Sequence, residues 1–206
     1  MGNTVSALYV ALMSESPLLL LSGHAPESHV GLGGFQEMAQ TEMASKVTKS
    51  SLTANNPALL GAQVTQALGI ASSGRPGPVH ISIPVNILES NIVQSGPNTP
   101  NPDHNIGHKV IEDSDALTML DSLSKSERPI LLTGSAMMRG QAPDVLKSFT
   151  EKTSVPVISM ESPRGIDDPS LGKFAEILSQ SDLIILLGKK LDFTLQMGQS
   201  PTFNPS

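Results

Sequence analysis

The chain contains no cysteine and no tryptophan, and only 3% of its residues are aromatic. The first absence excludes disulfides, thiolate zinc sites and a cysteine nucleophile. The scarcity of aromatics leaves the core to Leu, Ile, Val, Ala and Met. Positive charge is also short: 13 Lys and Arg stand against 19 Asp and Glu, a net charge of −6. No Lys/Arg run occurs locally, so a nucleic-acid partner would find no basic footprint. Long apolar runs are missing as well. The longest strongly apolar stretch near the start, Pro17–Leu21, is far too short to span a bilayer. No basic segment precedes it, which argues against a secretory signal. A cytoplasmic protein with no membrane partner is the expectation. The 206 residues, 38% hydrophobic and 16% charged, suffice for one ordinary domain or two small ones.

What is present is organised around Ser73-Gly-Arg-Pro-Gly-Pro-Val-His-Ile-Ser-Ile-Pro84. Gly74 stops the helical pattern before it, as a glycine in the left-handed position after a helix does. Pro76 and Pro78 bias their neighbours to extended backbone. Val79–Ile83 then reads as a short strand that Pro84 ends. Helix, Gly/Pro turn and strand together make an α/β unit.

The rest of the chain fits that rhythm. Thr4–Met13 reads as a helix started by Asn3 or Thr4, Pro17–Leu21 as a fully buried strand, and Ser22-Gly23 as its turn. Gly31–Gly34 is a loop, Phe35–Ala44 a short helix, Val47–Leu52 an extended piece and Pro57–Ser72 a longer helix. Gly96–His104 has linker composition. Beyond it, helices are expected at Ser114–Ser124 (with Ser114 as N-cap), Gln141–Thr153 and Phe174–Gln180. Strands are expected at Pro129–Thr133, Val155–Ser159 and Leu183–Leu187. Strands alternating with helices imply parallel pairing. The fold class is therefore α/β, with two parallel-sheet units that both look incomplete.

Several motifs invite chemistry and fail a closer reading. Gly134-Ser-Ala136-Met-Met-Arg139 sits where a dinucleotide fingerprint would, but its spacing is wrong, and a tight strand-to-helix turn is preferred. Gly188-Lys189-Lys190 lacks the first glycine of a phosphate loop. Asp103, His104 and His108 read as solvated linker residues, and His24, His29 and Glu27 as loop residues. Met1–Ser6 fits an acylation pattern at Gly2, and the start of a helix explains it better. Gly33-Gly34-Phe35-Gln36-Glu37 stands out. Paired glycines let backbone approach a ligand closely, Phe35 offers an apolar wall and Gln36 an amide. Lys49 could bring a cation toward the same place.

These pieces resemble the thiamine-diphosphate-dependent enzymes of the acetolactate synthase type. The resemblance is carried by Asn3-Thr-Val-Ser-Ala-Leu8, Ser16-Pro-Leu-Leu-Leu-Leu-Ser-Gly-His-Ala-Pro26, Gly33–Glu37, Val47-Thr-Lys49 and Ser73–Pro78 with Ile83-Pro84. Further along, Pro129–Gly134, Glu161–Gly165 and Leu187–Phe193 carry it. It implies that 1–92 is the C-terminal half of a pyrimidine-binding domain, 93–108 a linker and 109–206 a truncated, Rossmann-like central domain. It implies thiamine diphosphate and Mg²⁺ as cofactors, a 2-keto acid or acyl-CoA-like substrate, and a homodimer or homotetramer in full-length form. Residue by residue it places Asn3 near the cofactor's pyrimidine and Phe35, Gln36 and Lys49 along the active site.

The departures from that family are informative. His24 stands where Gln is usual, and Ala39 where Asp is frequent. Lys190-Leu-Asp-Phe193 replaces the family's Arg-Phe-Asp-Asp, which argues against FAD. The glutamate that protonates the cofactor and the Gly-Asp-Gly metal motif are not found, so no catalytic residue and no metal ligand is expected here. The chain is expected to be a fragment of a decarboxylase or carboligase. The alternative is a non-catalytic remnant or interaction module that retains the dimer surface.

Overall fold

Pro78-Val-His-Ile-Ser-Ile-Pro84 becomes a strand in which every residue is buried. In the computed structural model, which describes residues 1–92, 111–160 and 165–203, it is the middle strand of one of two sheets. The chain divides into two compact units, Met1–His108 and Lys109–Ser206. Each holds a three-stranded, wholly parallel sheet flanked by helices, an α/β fold. The expected linker 93–108 lies outside the described residues, as do Glu161–Arg164 of the motif at 161–165.

The first unit runs α1 (Val5–Met13), β1 (Leu18–His24), α2 (Gln40–Ser45), β2 (Ser50–Thr53), α3 (Leu60–Ser72), β3 (Pro78–Pro84) and α4 (Val85–Leu88). Its strand order is β1-β3-β2. Side chains alternate across a strand, and here the two faces differ in character. Val79, Ile81 and Ile83 pack with Ala67 and Ala71 of α3 and with Leu19 and Leu52. The opposite face carries His80 and Ser82, both fully buried. Their register partners there are Leu20 and Ser22 on β1, and Ser51 and Thr53 on β2.

The Gly/Pro turn before β3 is tied down from two sides. Gly74 adopts φ +53° just beyond α3, as expected of a helix-ending glycine. Arg75 reaches back to Glu15, with Nε 2.8 Å from Oε1.

The second unit runs α5 (Asp113–Lys125), β4 (Pro129–Gly134), α6 (Ala142–Thr153), β5 (Val157–Met160), α7 (Phe174–Gln180) and β6 (Leu183–Leu187), in strand order β5-β4-β6. Here both faces are apolar. Ile130 and Leu132 face Phe174, Leu178 and Leu195. Leu131 faces the other way, with Leu146, Val155 and Phe149. Near-continuous apolar strands of this kind are what a parallel sheet covered on both sides requires. Asp182 fastens the α5–β4 turn. Its carboxylate accepts the Ser126 hydroxyl and the N–H groups of Glu127 (2.7 Å) and Arg128 (2.9 Å). These bonds, Ser126's foremost, pull its pKa down to about 2.

Five local expectations need correction. β1 is an edge strand rather than a fully buried one, and Leu18 and Leu21 are exposed. Ser22 and Gly23 do not turn the chain; they continue β1, because both still pair with β3. The expected helix at Phe35–Ala44 is reduced to Gln40–Ser45, since Gln36 takes φ +64° and breaks the helical path. Helix α5 starts one residue earlier than expected, with Glu112 rather than Ser114 at its cap. At the start of α1 neither Asn3 nor Thr4 caps through its side chain.

Candidate functional site

At the C-terminal end of β1 the chain leaves the sheet after His24 and re-enters a helix at Gln40. Open parallel sheets bind ligands at this end of their strands. The intervening loop is wound around one carboxylate. Glu37 accepts the backbone N–H groups of Gly31 (2.6 Å), Gly33 (2.9 Å) and Gly34 (2.9 Å). Gly31 and Gly33 have φ of +87° and +74°, which glycine adopts without steric cost. The sequence presents Gly33 and Gly34 as backbone that could approach a ligand; in the structure both turn inward, together with Gly31. They aim their amides at the chain's own Glu37. Those bonds, that from Gly31 first, hold the Glu37 carboxyl below its ordinary range. Glu37 is therefore a fixed anion and acceptor, not a proton donor, at neutral pH.

A cleft of about 620 Å³ opens beside this loop, lined by His24, Gly33, Gly34, Glu37, Gln40 and Thr53. The His24 ring spans the loop's base, with Nδ1 2.9 Å from the Ala25 carbonyl and Nε2 3.3 Å from that of Met38. Glu27 is engaged with Asn86: its N–H donates to Oδ1 at 3.1 Å, and Nδ2 donates to its carboxylate at 3.3 Å. It is thus tied to the residues after β3.

The four expected site residues separate. Phe35 and Gln36 ride together on the loop, outside the cleft lining; Phe35 is 89% exposed. Gln36 has φ +64°, a conformation that costs a side-chain-bearing residue roughly 1–2 kcal/mol. Lys49 does not join them. It precedes β2, at the end of the sheet where the parallel strands begin, while the loop lies where they finish. Its Nζ donates to the carbonyls of Ile70 (2.5 Å) and Ser73 (2.6 Å), closing the C-terminus of α3. Burial lowers its pKa. Asn3 sits in the exposed turn Gly2–Thr4 before α1. The other end of α1 is anchored near the start of β3, where Leu12 Cδ1 lies 3.4 Å from the ideal Cβ position of Gly77.

Reading residue by residue missed the buried polar seam behind the loop. His80 on β3 bridges two serines, Ser22 on β1 (2.7 Å from Nε2) and Ser51 on β2 (2.8 Å from Nδ1). Ser22 also bonds Gln40 Oε1 at 2.5 Å. Gln40 Nε2 donates to the carbonyls of Gly23 (2.8 Å) and Gln36 (3.4 Å). The available signal was the strict alternation Val-His-Ile-Ser-Ile at 79–83, which puts His80 and Ser82 on one face.

In the second unit the strand ends are filled by backbone. An ideal Cβ on Gly134 would stand 2.1 Å from the Gly188 carbonyl oxygen, so β4 and β6 close on each other where a fingerprint loop would open. Lys189 is turned inward, with Nζ 2.5 Å from Thr194 Oγ1 and 3.5 Å from Asp192 Oδ1. Burial opposes ionisation of Asp192, but bonds from the Thr194 hydroxyl and amide and the Lys189 charge outweigh it. The carboxyl is held below its ordinary range, and Asp192 caps the turn at 193–198. Among the described residues no group of three or more His, Asp or Glu side chains converges on a possible metal position. No helix among them is long and apolar enough to cross a membrane.

Residues 117–206, from α5 through the close approach of β4 and β6, match the central domain of thiamine pyrophosphate enzymes. Over these residues the chain carries the central domain of the thiamine-diphosphate-dependent enzyme family. Its likeness extends through the first unit. Oxalyl-CoA decarboxylase of Escherichia coli K12 is 28% identical over 212 residues, covering 96% of this chain and 36% of that protein. An acetolactate synthase large subunit from Parasynechococcus marenigrum is 28% identical over 219 residues, covering 98% and 35%. The 2-hydroxyacyl-CoA lyase 1 of Dictyostelium discoideum is 29% identical over 222 residues, covering 98% and 37%. The relatives thus include decarboxylases, synthases and lyases, and the chain spans little more than a third of their length.

Proposed function

We propose that this chain supplies one wall of the active site of a thiamine-diphosphate-dependent decarboxylase or carboligase. The substrate is a 2-keto acid or an acyl-CoA-like relative. In this reading 1–92 is the C-terminal half of a pyrimidine-binding domain and 109–206 a central domain. Support comes from relatives aligned over 96–98% of the chain and, above all, from Gln36. It is a polar residue held at φ +64° on the loop at the finishing end of a parallel sheet. Backbone strain of this kind clusters at binding sites.

The residues fit one part of the cofactor only. Asn3 offers an exposed amide suited to a pyrimidine edge, and Phe35 with Gln36 an apolar face and a donor suited to substrate. Nothing among the described residues suits a diphosphate-bound metal, which normally takes carboxylates and phosphate oxygens together. The diphosphate and its Mg²⁺ are held elsewhere in this reading, and FAD is not required. Bound thiamine diphosphate supplies the electron sink for carbanion chemistry. This chain's part is to orient substrate beside Gln36 and to exclude water with Phe35.

A second reading, an interaction module without chemistry, draws on apolar side chains exposed along α1 and β1: Tyr9, Val10, Met13, Leu18 and Leu21.

Calorimetry of the chain with thiamine diphosphate and Mg²⁺, with a 2-keto acid decarboxylation assay alongside, tests the first reading. The isolated chain is expected to show neither saturable binding nor turnover. Saturable one-to-one binding with decarboxylation would overturn the fragment reading. Joined to the glutamate segment and metal domain of such an enzyme, it is expected to lose turnover on Gln36→Ala while keeping its fold. Unchanged kinetics remove Gln36 from the site, and an inactive joined protein favours the interaction module.

A further inference from the structure

The buried seam behind the loop has a direction, fixed by hydrogen-bond chemistry. Gln40 faces two carbonyl oxygens, those of Gly23 and Gln36, at its Nε2 and a hydroxyl at its Oε1. The reverse amide orientation would set an oxygen against two oxygens, so the assignment follows from its partners. An amide oxygen only accepts. Ser22 must therefore spend its single proton on Gln40 and can only accept from His80. That places the His80 proton on Nε2 and leaves Nδ1 as acceptor for the Ser51 hydroxyl, 2.8 Å away. The chain of donors runs one way: Ser51 to His80, His80 to Ser22, Ser22 to Gln40, and Gln40 to the backbone of Gly23 and Gln36.

Ser51 and Ser22 are half-buried, Gln40 is buried and His80 is wholly buried, while Gly23 and Gln36 at the far end are exposed. Burial, with a smaller push from the amino-terminal charge of Met1, lowers the His80 pKa and favours the neutral ring that this chain of bonds requires. Aligned bonds in a low-dielectric interior reinforce one another. The last bond is to the carbonyl of Gln36, the residue whose backbone is strained. A side chain that grips that carbonyl from beneath offsets the tendency of Gln36 to relax toward ordinary φ.

We propose that His80, as its Nε2–H tautomer, is a positioning residue which acts through Ser22 and Gln40 to clamp Gln36 in its left-handed conformation. The clamp sets the course of the whole 31–40 loop, including the Gly31, Gly33 and Gly34 amides around Glu37. Its bearing on substrate binding rests on the reading given above; the clamp itself does not.

The test is nuclear magnetic resonance on the ¹⁵N-labelled chain at neutral pH. Long-range proton–nitrogen correlations of His80 are expected to show one neutral tautomer, protonated at Nε2. Protonation at Nδ1, or an imidazolium ring, overturns the proposal without any variant. Ser22→Ala breaks the relay and Ser22→Thr keeps its hydroxyl. Ser22→Ala is expected to displace the amide resonances of Gly31, Gly33, Gly34 and Gln36 and to mix the His80 tautomers. Ser22→Thr is expected to restore both toward wild type. Equal disturbance by the two variants, or undisturbed loop resonances in Ser22→Ala, reduces the seam to packing and refutes the clamp. A chain that passes this test yet, in the joined enzyme, is indifferent to Gln36→Ala keeps the clamp and loses the functional reading.

Discussion

Removing the Lys49 ammonium should loosen the end of α3 rather than disturb a binding site. Of the two carbonyls it holds, Ile70 lies in the last turn of that helix and also accepts from the Ser73 amide and hydroxyl, and Ser73 is the capping residue just beyond it. Each charged hydrogen bond contributes roughly 1.5–3 kcal/mol. Against this stand about 2 kcal/mol of lysine side-chain entropy and the desolvation that lowers its pKa. The net loss in Lys49→Met is about 1–2 kcal/mol, given that methionine keeps the stem over Gly77. There Lys49 Cδ stands 3.1 Å from where a Cβ would be. Lys49→Ala also removes that stem and should lose about 1 kcal/mol more.

Tyr9 is the only tyrosine and tryptophan is absent, so intrinsic fluorescence reports the first unit alone. Urea unfolding followed at Tyr9 gives both differences directly. There is a pH signature too. A lysine whose folded pKa lies below 10.5 binds fewer protons folded than unfolded in the window below that value. Stability therefore rises with pH across that window in the wild type, and this component disappears in Lys49→Met. A Lys49→Met chain as stable as wild type, with the same alkaline profile, would refute the helix-capping role.

Glu37→Gln should release the amides of Gly31, Gly33 and Gly34, read as changed resonances of those three residues. In the wild type the carboxylate's hold is complete above its ordinary pKa near 4.5 and is lost as pH falls through its lower folded value. Gly134→Ala should destabilise the second unit by about 3 kcal/mol, because the new Cβ meets Gly188 backbone rather than a yielding side chain; thermal unfolding by circular dichroism measures it. Ser82→Ala should be neutral or stabilising by up to about 1 kcal/mol, since its buried hydroxyl has no hydrogen-bond partner among the described residues. A loss above that in chemical denaturation would reveal a partner for Ser82.

By itself the sequence determined what local patterning can determine. Val79–Ile83 and Leu183–Leu187 are β-branched or leucine-rich runs bounded by helix-stopping residues, and both are strands. Gly74 ends α3 at φ +53°, a turn that glycine makes without steric cost. The family was legible in motif order for a similar reason: turns such as Ser73–Pro78 depend on residue type at fixed spacing.

What no local rule could supply was which strand stands at the centre and which at the edge. Pro17–Leu21 and Pro78–Pro84 are both apolar enough to be buried on two sides, and strand order alone leaves Leu21 exposed and His80 enclosed. Parallel direction decided the fate of Lys49, which lies only 13 positions after Gln36 in the chain but at the opposite end of the sheet. Tertiary structure alone joined Ser22, Gln40, Ser51 and His80, up to 58 positions apart, into one line of hydrogen bonds. The physical reason is common to all three. Burial and hydrogen-bond satisfaction are properties of neighbours across strands, and strand pairing brings together residues whose own segments carry no mark of one another.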